Sequence, residues 1–112
     1  MAETYLNYIN GKWVEANSGQ TFESRNPAHP DQVLGIFQRS DARDVASAVA
    51  AAEQAHKSWR LVPAPHRGDV VLRAAQIIER RKEELAQVMT REMGKVIAEA
   101  RGDVQEAIDM RN

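Results

Sequence analysis

Apolar and polar residues follow two different patterns along this chain, and the change falls near residue 40. Between residues 5 and 39, short runs of aromatic and β-branched side chains alternate with residues that favour turns. The turn signals are Asn10-Gly11, Ser18-Gly19, Asn26-Pro27 and Pro30-Asp31. We expect two or three short strands in hairpin-like order in this part of the chain.

Beyond Ser40, apolar residues recur every three or four positions, which is the spacing of one face of an α-helix. The first such face consists of Val45, Ala48, Val49 and Ala52. Ser40 is the expected N-cap, and Asp41 and Asp44 would lie near the positive end of the helix dipole. The pattern therefore predicts a first helix within residues 40–60 that ends near Trp59.

Residues 64–112 continue the helical period after a connector that contains Pro63 and Pro65. Pro65 suits the first turn of a helix, because the N–H that it lacks has no partner there. Apolar faces are formed by Val71, Ala74, Ala75 and Ile78, by Leu85, Val88 and Met89, and by Val104, Ala107 and Ile108. Neither glycine nor proline follows the last group, so we expect the sequence to end inside a helix. This region is expected to hold the remaining helices.

Composition limits the kinds of partner. The 112 residues, 43% of them hydrophobic, suffice for one compact domain. Fifteen basic and sixteen acidic residues give a net charge of −1 without a basic block, so neither nucleic acid nor an anionic membrane is an expected partner. No run approaches the ~20 apolar residues of a membrane span, and no secretory signal is seen. A cytoplasmic location is the expectation.

The segment TREMGK, residues 90–95, ends in the Gly-Lys pair that closes a phosphate-binding loop. The rest of that motif is missing. Met89 occupies the position of the first glycine, and Val96 follows the lysine where a hydroxyl should hold magnesium. We interpret Gly94 as the end of a helix, because glycine adopts the left-handed conformation at little steric cost.

Other candidate groups favour structural roles. His29, His56 and His66 lie in separate segments without the spacing of a zinc site. The chain has no cysteine, which excludes a thiolate metal site and a cysteine nucleophile within these residues. Trp13 and Trp59 are interpreted as packing anchors.

Two acidic features of the chain, a run of mixed charges and a single glutamate near a helix end, favour different interpretations. The run from Glu79 to Glu84 interleaves acids with arginines and a lysine, which is typical of a solvated face. Glu92, close to the helix end at Gly94, faces the negative end of the helix dipole. A bound cation or a neighbouring donor would compensate for that placement.

Four consecutive phrases resemble the N-terminal region of the NAD(P)-dependent aldehyde dehydrogenase superfamily. They are YINGKWVEANSGQTFESRNPA, RSDARDVASAVAAAEQAHKSWR, PAPHRGDVVLRAAQIIERRKEELAQVMTREMGK and EARGDVQEAID, and they cover nearly all of the chain in the family's order. TREMGK at the end of the third phrase, together with EARGDVQEAID, resembles the semialdehyde-oxidising branch. NPAHPDQ departs from the family, because many relatives have a glycine-containing turn after Asn-Pro-Ala.

The resemblance implies an α/β parent fold, aldehyde dehydrogenase-like, with a Rossmann-type coenzyme domain. Residues 1–112 would be the N-terminal part of that coenzyme-binding domain: strands and turns over 5–39, a first helix over 40–60 and helices over 64–112, three or four helices in all. The catalytic and oligomerisation domains would be absent.

The family oxidises an aldehyde or semialdehyde to a carboxylic acid with NAD or NADP through a cysteine thiohemiacetal. Its members are expected to form homo-oligomers. The nucleophile and the cofactor motif of the family lie beyond Asn112, so no catalytic or cofactor-binding residue is assigned here. We expect the segment to be inactive alone, its partners being the remainder of its own chain and, for the parent protein, the aldehyde substrate.

The resemblance also implies a metal site. Some relatives hold a structural monovalent cation, and the matching positions here are Ser24, Arg25 through its backbone, and Glu92. An alternative from a different class stays open: a noncatalytic helical module that binds another protein. Its candidate contact residues are Val71, Ala75, Ile78, Val88 and Met89.

Overall fold

The computed structural model describes residues 2–110, which form four strands followed by four helices. In chain order these are β1 (Asn7–Ile9), β2 (Lys12–Val14), β3 (Thr21–Asn26), β4 (His29–Gln38), α1 (Ala42–Trp59), α2 (Ala64–Arg80), α3 (Lys82–Met93) and α4 (Ile97–Asp109). The described chain divides into two compact units, residues 2–25 with 31–61 and residues 26–30 with 62–110. The predicted order of strands before helices is confirmed, with one strand more than expected.

In the first unit, β1 and β2 form an antiparallel hairpin in which Tyr8 pairs with Trp13. Asn10 and Gly11 connect the strands with φ of 55° and 74°. Two successive positive φ angles are the signature of the tight hairpin turn that Asn-Gly favours. β3 and β4 form a second two-stranded sheet. Thr4 forms a parallel bridge with Ile36 of β4, which ties the N-terminal segment to that strand.

One predicted break in the chain is wrong. β4 begins at His29 and passes through Pro30 and Asp31 without interruption. The fixed φ of proline is compatible with extended backbone, and proline is tolerated close to the start of a strand. The reversal lies earlier, where Asn26 Oδ1 accepts a hydrogen bond from the backbone N–H of Ala28 at 2.9 Å. This turn belongs to the second unit and uses no positive φ, so it needs no glycine.

The predicted N-cap of α1 is also wrong by one residue. Asp41 is the N-cap, and its carboxylate accepts a hydrogen bond from the backbone N–H of Arg43 at 2.9 Å. The hydroxyl of Ser40 instead accepts a hydrogen bond from Asn7 Nδ2 at 2.7 Å. Ser40 is thus engaged with a residue far away in the sequence. The predicted end of the helix at Trp59 is confirmed.

The core of the second unit is small and rich in alanine. Ala86 of α3 packs with Ala100, Val104 and Ile108 of α4, and partly buried residues such as Ile78 surround them. Alanine lets the two helices approach closely, but it buries little apolar area per residue. Polar contacts add to the pairing of α3 with α4. Arg101 forms an ion pair with Glu83 at 2.8 Å, and Lys82 Nζ donates to Gln105 Oε1 at 2.7 Å.

Burial departs from the sequence-based expectation at several positions. Trp13 is exposed but packs against Tyr8, with ring centroids 4.8 Å apart, whereas Trp59 is exposed and the packing-anchor interpretation is wrong for it in this chain. Ala75, expected on an open contact face, is buried, whereas Val71 and Val88 of the same candidate set are exposed. Burial depends on neighbours distant in sequence, which a residue's type does not reveal.

Two further expectations concern the helices. Among residues 2–110, no helix combines the length and the apolar content needed to cross a bilayer. The expectation that the sequence stops inside a helix falls on residues 111 and 112, which lie outside the described residues. Within residues 2–110, α4 ends at Asp109 and Met110 is its C-cap.

Candidate functional site

Gly94 ends α3, as the sequence predicts. It adopts the left-handed conformation with φ of 78°, and its N–H donates to the carbonyl oxygen of Thr90 at 2.9 Å. A Cβ at this position would lie 3.0 Å from Cγ of Pro27, within the same unit. Both the backbone angle and the close approach therefore require glycine.

Lys95 does not provide a phosphate ligand. Its ammonium group forms an ion pair with Asp103 of α4. The hydrogen bond to Asp103 raises the pKa of Lys95, and the negative charges of Asp103, Glu99 and Glu106 add to the effect. Because this charge is already compensated and Val96 follows, Gly94-Lys95 does not fit a dinucleotide phosphate. No coenzyme role is assigned to it.

Glu92 lies in the last turn of α3, on the edge of an apolar groove between α2, α3 and α4. It is exposed, and no hydrogen-bond donor of the described part of the second unit pairs with its carboxylate. The carbonyl groups at the end of a helix carry partial negative charge, so this carboxylate would gain from a cation. Glu92 thus lies at the negative end of the helix dipole, as the sequence indicates.

Ser24 and Arg25 are neighbours in β3, in the first unit. The guanidinium of Arg25 forms an ion pair with Glu23 at 2.6 Å. Successive side chains of a strand point to opposite faces, so the Ser24 hydroxyl, which is half-buried, points away from that pair. Ser24 and Arg25 thus lie side by side in β3. Their association with Glu92 of the second unit stays a prediction.

Other candidate ligands are dispersed. His29, His56 and His66 are all exposed. Within residues 2–110, no group of three or more histidine, aspartate or glutamate side chains is placed to hold a metal ion. A cation at Ser24, Arg25 and Glu92 would instead depend on hydroxyl and carbonyl oxygens together with one carboxylate.

A carboxylate that the sequence indicates only as an acid near the start of α1 is buried in the first unit. Asp44 is 5% exposed, and it accepts hydrogen bonds from the backbone N–H of Asn17 at 3.0 Å and of Asp41 at 2.8 Å. These bonds lower the pKa of Asp44, that from Asp41 having the larger effect. The spacing of Asp41 and Asp44 is that of a capping box, so this signal was present in the sequence.

The comparisons with known proteins agree with this architecture. The model of the aldehyde dehydrogenase family matches residues 13–112. The chain therefore belongs to the aldehyde dehydrogenase family, and its short strands followed by four helices are those of the N-terminal segment of that family.

Individual relatives define the relationship further. The chain is 43% identical over 110 residues to an alpha-ketoglutarate semialdehyde dehydrogenase of Haloferax volcanii, covering 98% of this chain and 23% of that protein. It is 44% identical over 105 residues to an alpha-ketoglutaric semialdehyde dehydrogenase of Bacillus subtilis, covering 94% of this chain and 22% of that protein. A crystal structure of an NAD-dependent aldehyde dehydrogenase from Sinorhizobium meliloti matches with a TM-score of 0.91 and 34% identity, covering 99% of this chain and 22% of that one. The chain thus spans less than a quarter of the length of these relatives.

Proposed function

We propose that residues 1–112 are the N-terminal part of the coenzyme-binding domain of an NAD(P)-dependent semialdehyde dehydrogenase. The observation that carries the proposal is a match of 43% identity that covers 98% of this chain but only 23% of a semialdehyde dehydrogenase. In the parent protein, NAD or NADP would accept hydride from the aldehyde, and the product would be a carboxylic acid. The proposed parent is cytoplasmic and a homo-oligomer.

We further propose that this segment is inactive alone. It contains no cysteine, and a thiolate is the group with which the family attacks the aldehyde. Lys95, the basic residue of the Gly-Lys pair, is engaged with Asp103. The role left to residues 1–112 is structural, since their helices and strands would support a site built by the rest of the protein.

A hybrid protein tests the proposal directly. Residues 1–112 replace the matching segment of the Bacillus subtilis semialdehyde dehydrogenase, and both the hybrid and the separate 112-residue chain are incubated with alpha-ketoglutarate semialdehyde and NAD or NADP. The expected result is reduced coenzyme from the hybrid and none above blank from the chain alone. A folded hybrid without activity, or turnover by the chain alone, would contradict the proposal.

The alternative of a noncatalytic protein-binding module has one observation in its favour, which is the exposure of Val71 and Val88. The same hybrid separates the two functions. If residues 1–112 were a noncatalytic module, the hybrid enzyme would not be expected to retain activity.

We also propose that Ser24, the carbonyl of Arg25 and Glu92 bind a structural monovalent cation in the parent protein. Hydroxyl, carbonyl and carboxylate oxygens suit a hard cation, and the end of α3 adds a favourable negative potential. The test compares thermal unfolding of the hybrid in sodium, potassium or tetramethylammonium chloride at equal ionic strength. A small cation should raise the unfolding temperature, and Glu92→Gln should abolish that difference, whereas Glu53→Gln on α1 should preserve it. Equal unfolding temperatures in all three salts would contradict the cation site.

A further inference from the structure

Asn10 is the one residue other than glycine, within residues 2–110, that has a positive φ. It is exposed at the tip of the β1–β2 hairpin, and Gly11 follows it with φ of 74°. No hydrogen bond from the described residues of the first unit holds its side-chain amide. Asn10 thus combines a free amide with a following N–H that no side chain shields, because glycine has no Cβ.

The surroundings of this turn leave it room to rearrange. An open groove of about 320 Å³ lies between the turn and α1, which contributes only alanines to it: Ala48, Ala51, Ala52 and Ala55. β1 and β2 are three residues long, and a two-stranded hairpin is marginally stable by itself. Tyr8 and Trp13 support the pairing across the strands, with ring centroids 4.8 Å apart. We therefore expect this hairpin to open locally at a low cost in free energy.

The closed turn keeps two potentially reactive atoms apart. Left-handed backbone has ψ of about +47°, which directs the nitrogen of Gly11 away from the Cβ of Asn10. A five-membered ring between that nitrogen and Cγ of Asn10 can close only when the nitrogen and Cβ lie on the same side of the Cα–C bond. Asn10 must therefore leave the left-handed conformation before the two atoms can react.

We propose that Asn10-Gly11 is a site of spontaneous deamidation, which the β1–β2 hairpin protects while it is closed. In the open hairpin the backbone nitrogen of Gly11 attacks Cγ of Asn10 and forms a new N–C bond. The bond from Cγ to the amide nitrogen breaks, and ammonia leaves with the proton that Gly11 has lost. Water then opens the resulting succinimide at either carbonyl and gives aspartate or isoaspartate. No oxidant or reductant takes part.

The isoaspartate product changes the backbone of the turn. Its main chain runs through Cβ and Cγ, so one extra carbon enters a two-residue turn that fixes the pairing of Ile9 with Lys12. The modified turn no longer matches the twist and spacing of the two strands. Deamidation therefore holds the hairpin open once it has occurred.

Peptide mass spectrometry of the purified 112-residue chain tests the site, after incubation in mildly alkaline buffer with or without urea. Asn10 should deamidate several times faster in urea than in buffer, because urea opens the hairpin. Asn7 is the internal control, since Tyr8 follows it and its amide donates to Ser40. Asn7 should react more slowly than Asn10 in both solutions. Equal rates at Asn10 with and without urea, or no reaction at Asn10 in either, would overturn the proposal.

Two tryptophan variants test whether the hairpin controls the reaction. Trp13→Ala removes the ring that packs on Tyr8 and should speed deamidation in buffer about two- to fivefold, which corresponds to the loss of one cross-strand aromatic pair. Trp59→Ala, at the exposed end of α1, should leave the rate unchanged, and in urea both variants should react like the wild type. Equal rates for the two variants in buffer would refute protection by the hairpin.

Hydrogen exchange tests the structural consequence of the modification. Backbone amides of residues 7–14 should exchange faster in chains that carry isoaspartate at position 10 than in fresh protein, because the strands no longer pair. Amides of α4, in the second unit, should exchange alike in both samples. Unchanged exchange over residues 7–14 would refute the opened hairpin.

Discussion

The carboxylate of Asp44 accepts two hydrogen bonds from Asn17, one from its backbone N–H at 3.0 Å and one from its side-chain amide at 2.9 Å. The other carboxylate oxygen accepts from the backbone N–H of Asp41 at 2.8 Å. One side chain on α1 thus caps its own helix and also holds the loop that precedes β3. Asp44 thus joins positions 27 residues apart in the sequence.

The Asp44 contacts predict an acid-dependent loss of stability. These hydrogen bonds hold the pKa of Asp44 below its ordinary value of 3.8, with the N–H of Asp41 as the largest cause. A lowered folded-state pKa stabilises the fold above the ordinary pKa, and this contribution is lost as the pH falls through the folded-state value. Asp44→Asn should lower the urea midpoint near neutral pH and should flatten its dependence on pH at the acid end. Glu53→Gln, on an exposed face of the same helix, is the control and should change neither.

Ile108 is the largest completely buried side chain of the described residues, at 1% exposure. Ile108→Ala should destabilise the second unit by about 2–5 kcal/mol, because it removes buried methyl groups and leaves a cavity. Ile77→Ala, on the exposed side of α2, should cost less than about 1 kcal/mol, because the side chain is already 45% exposed. Urea unfolding followed by circular dichroism measures both. Equal losses for the two variants would show that the core does not centre on Ile108.

Local signals in the sequence located most of the elements. The period of Val45, Ala48 and Val49 predicted α1, and Gly94 predicted the end of α3, because helical faces and left-handed glycine caps depend on residues close in sequence. The N-cap at Ser40 and the break at Pro30-Asp31 were wrong, because Asn7 engages Ser40 and β4 extends through the proline. Those outcomes depend on long-range pairing.

Local sequence signals do not predict the candidate cation site. Nothing in the spacing of Ser24, Arg25 and Glu92 relates them, so the cation site followed only from the family resemblance. The exposure of Trp13 and Trp59 was missed for another reason, because large aromatic residues are usually buried in a complete fold.

The ion pair between Lys95 and Asp103 predicts a loss of stability in alkali. The hydrogen bond to Asp103 raises the pKa of Lys95 above its ordinary value of 10.5. A raised pKa stabilises the fold below the ordinary value, and this contribution is lost as the pH rises through the folded-state value. The difference in urea midpoint between the wild type and Lys95→Gln should therefore persist up to the ordinary lysine value of 10.5 and shrink as the pH rises above it. Lys57→Gln, on α1 of the first unit, should show no such trend.

Gly94 and Gly102 provide a matched pair, since both belong to the second unit and only one needs to be glycine. Gly94→Ala should cost about 1–2 kcal/mol, because an alanine at φ of 78° enters the left-handed region, and its Cβ would also meet Pro27. Gly102 lies within α4 with open space around it, so Gly102→Ala should stabilise the helix by up to about 1 kcal/mol. Gly94→Asn separates the two causes, because asparagine tolerates the left-handed angle but retains a Cβ. If the backbone angle dominates, Gly94→Asn should recover much of the loss; if the contact with Pro27 dominates, it should be as destabilised as Gly94→Ala. A Gly94→Ala variant with the stability of the wild type would contradict both.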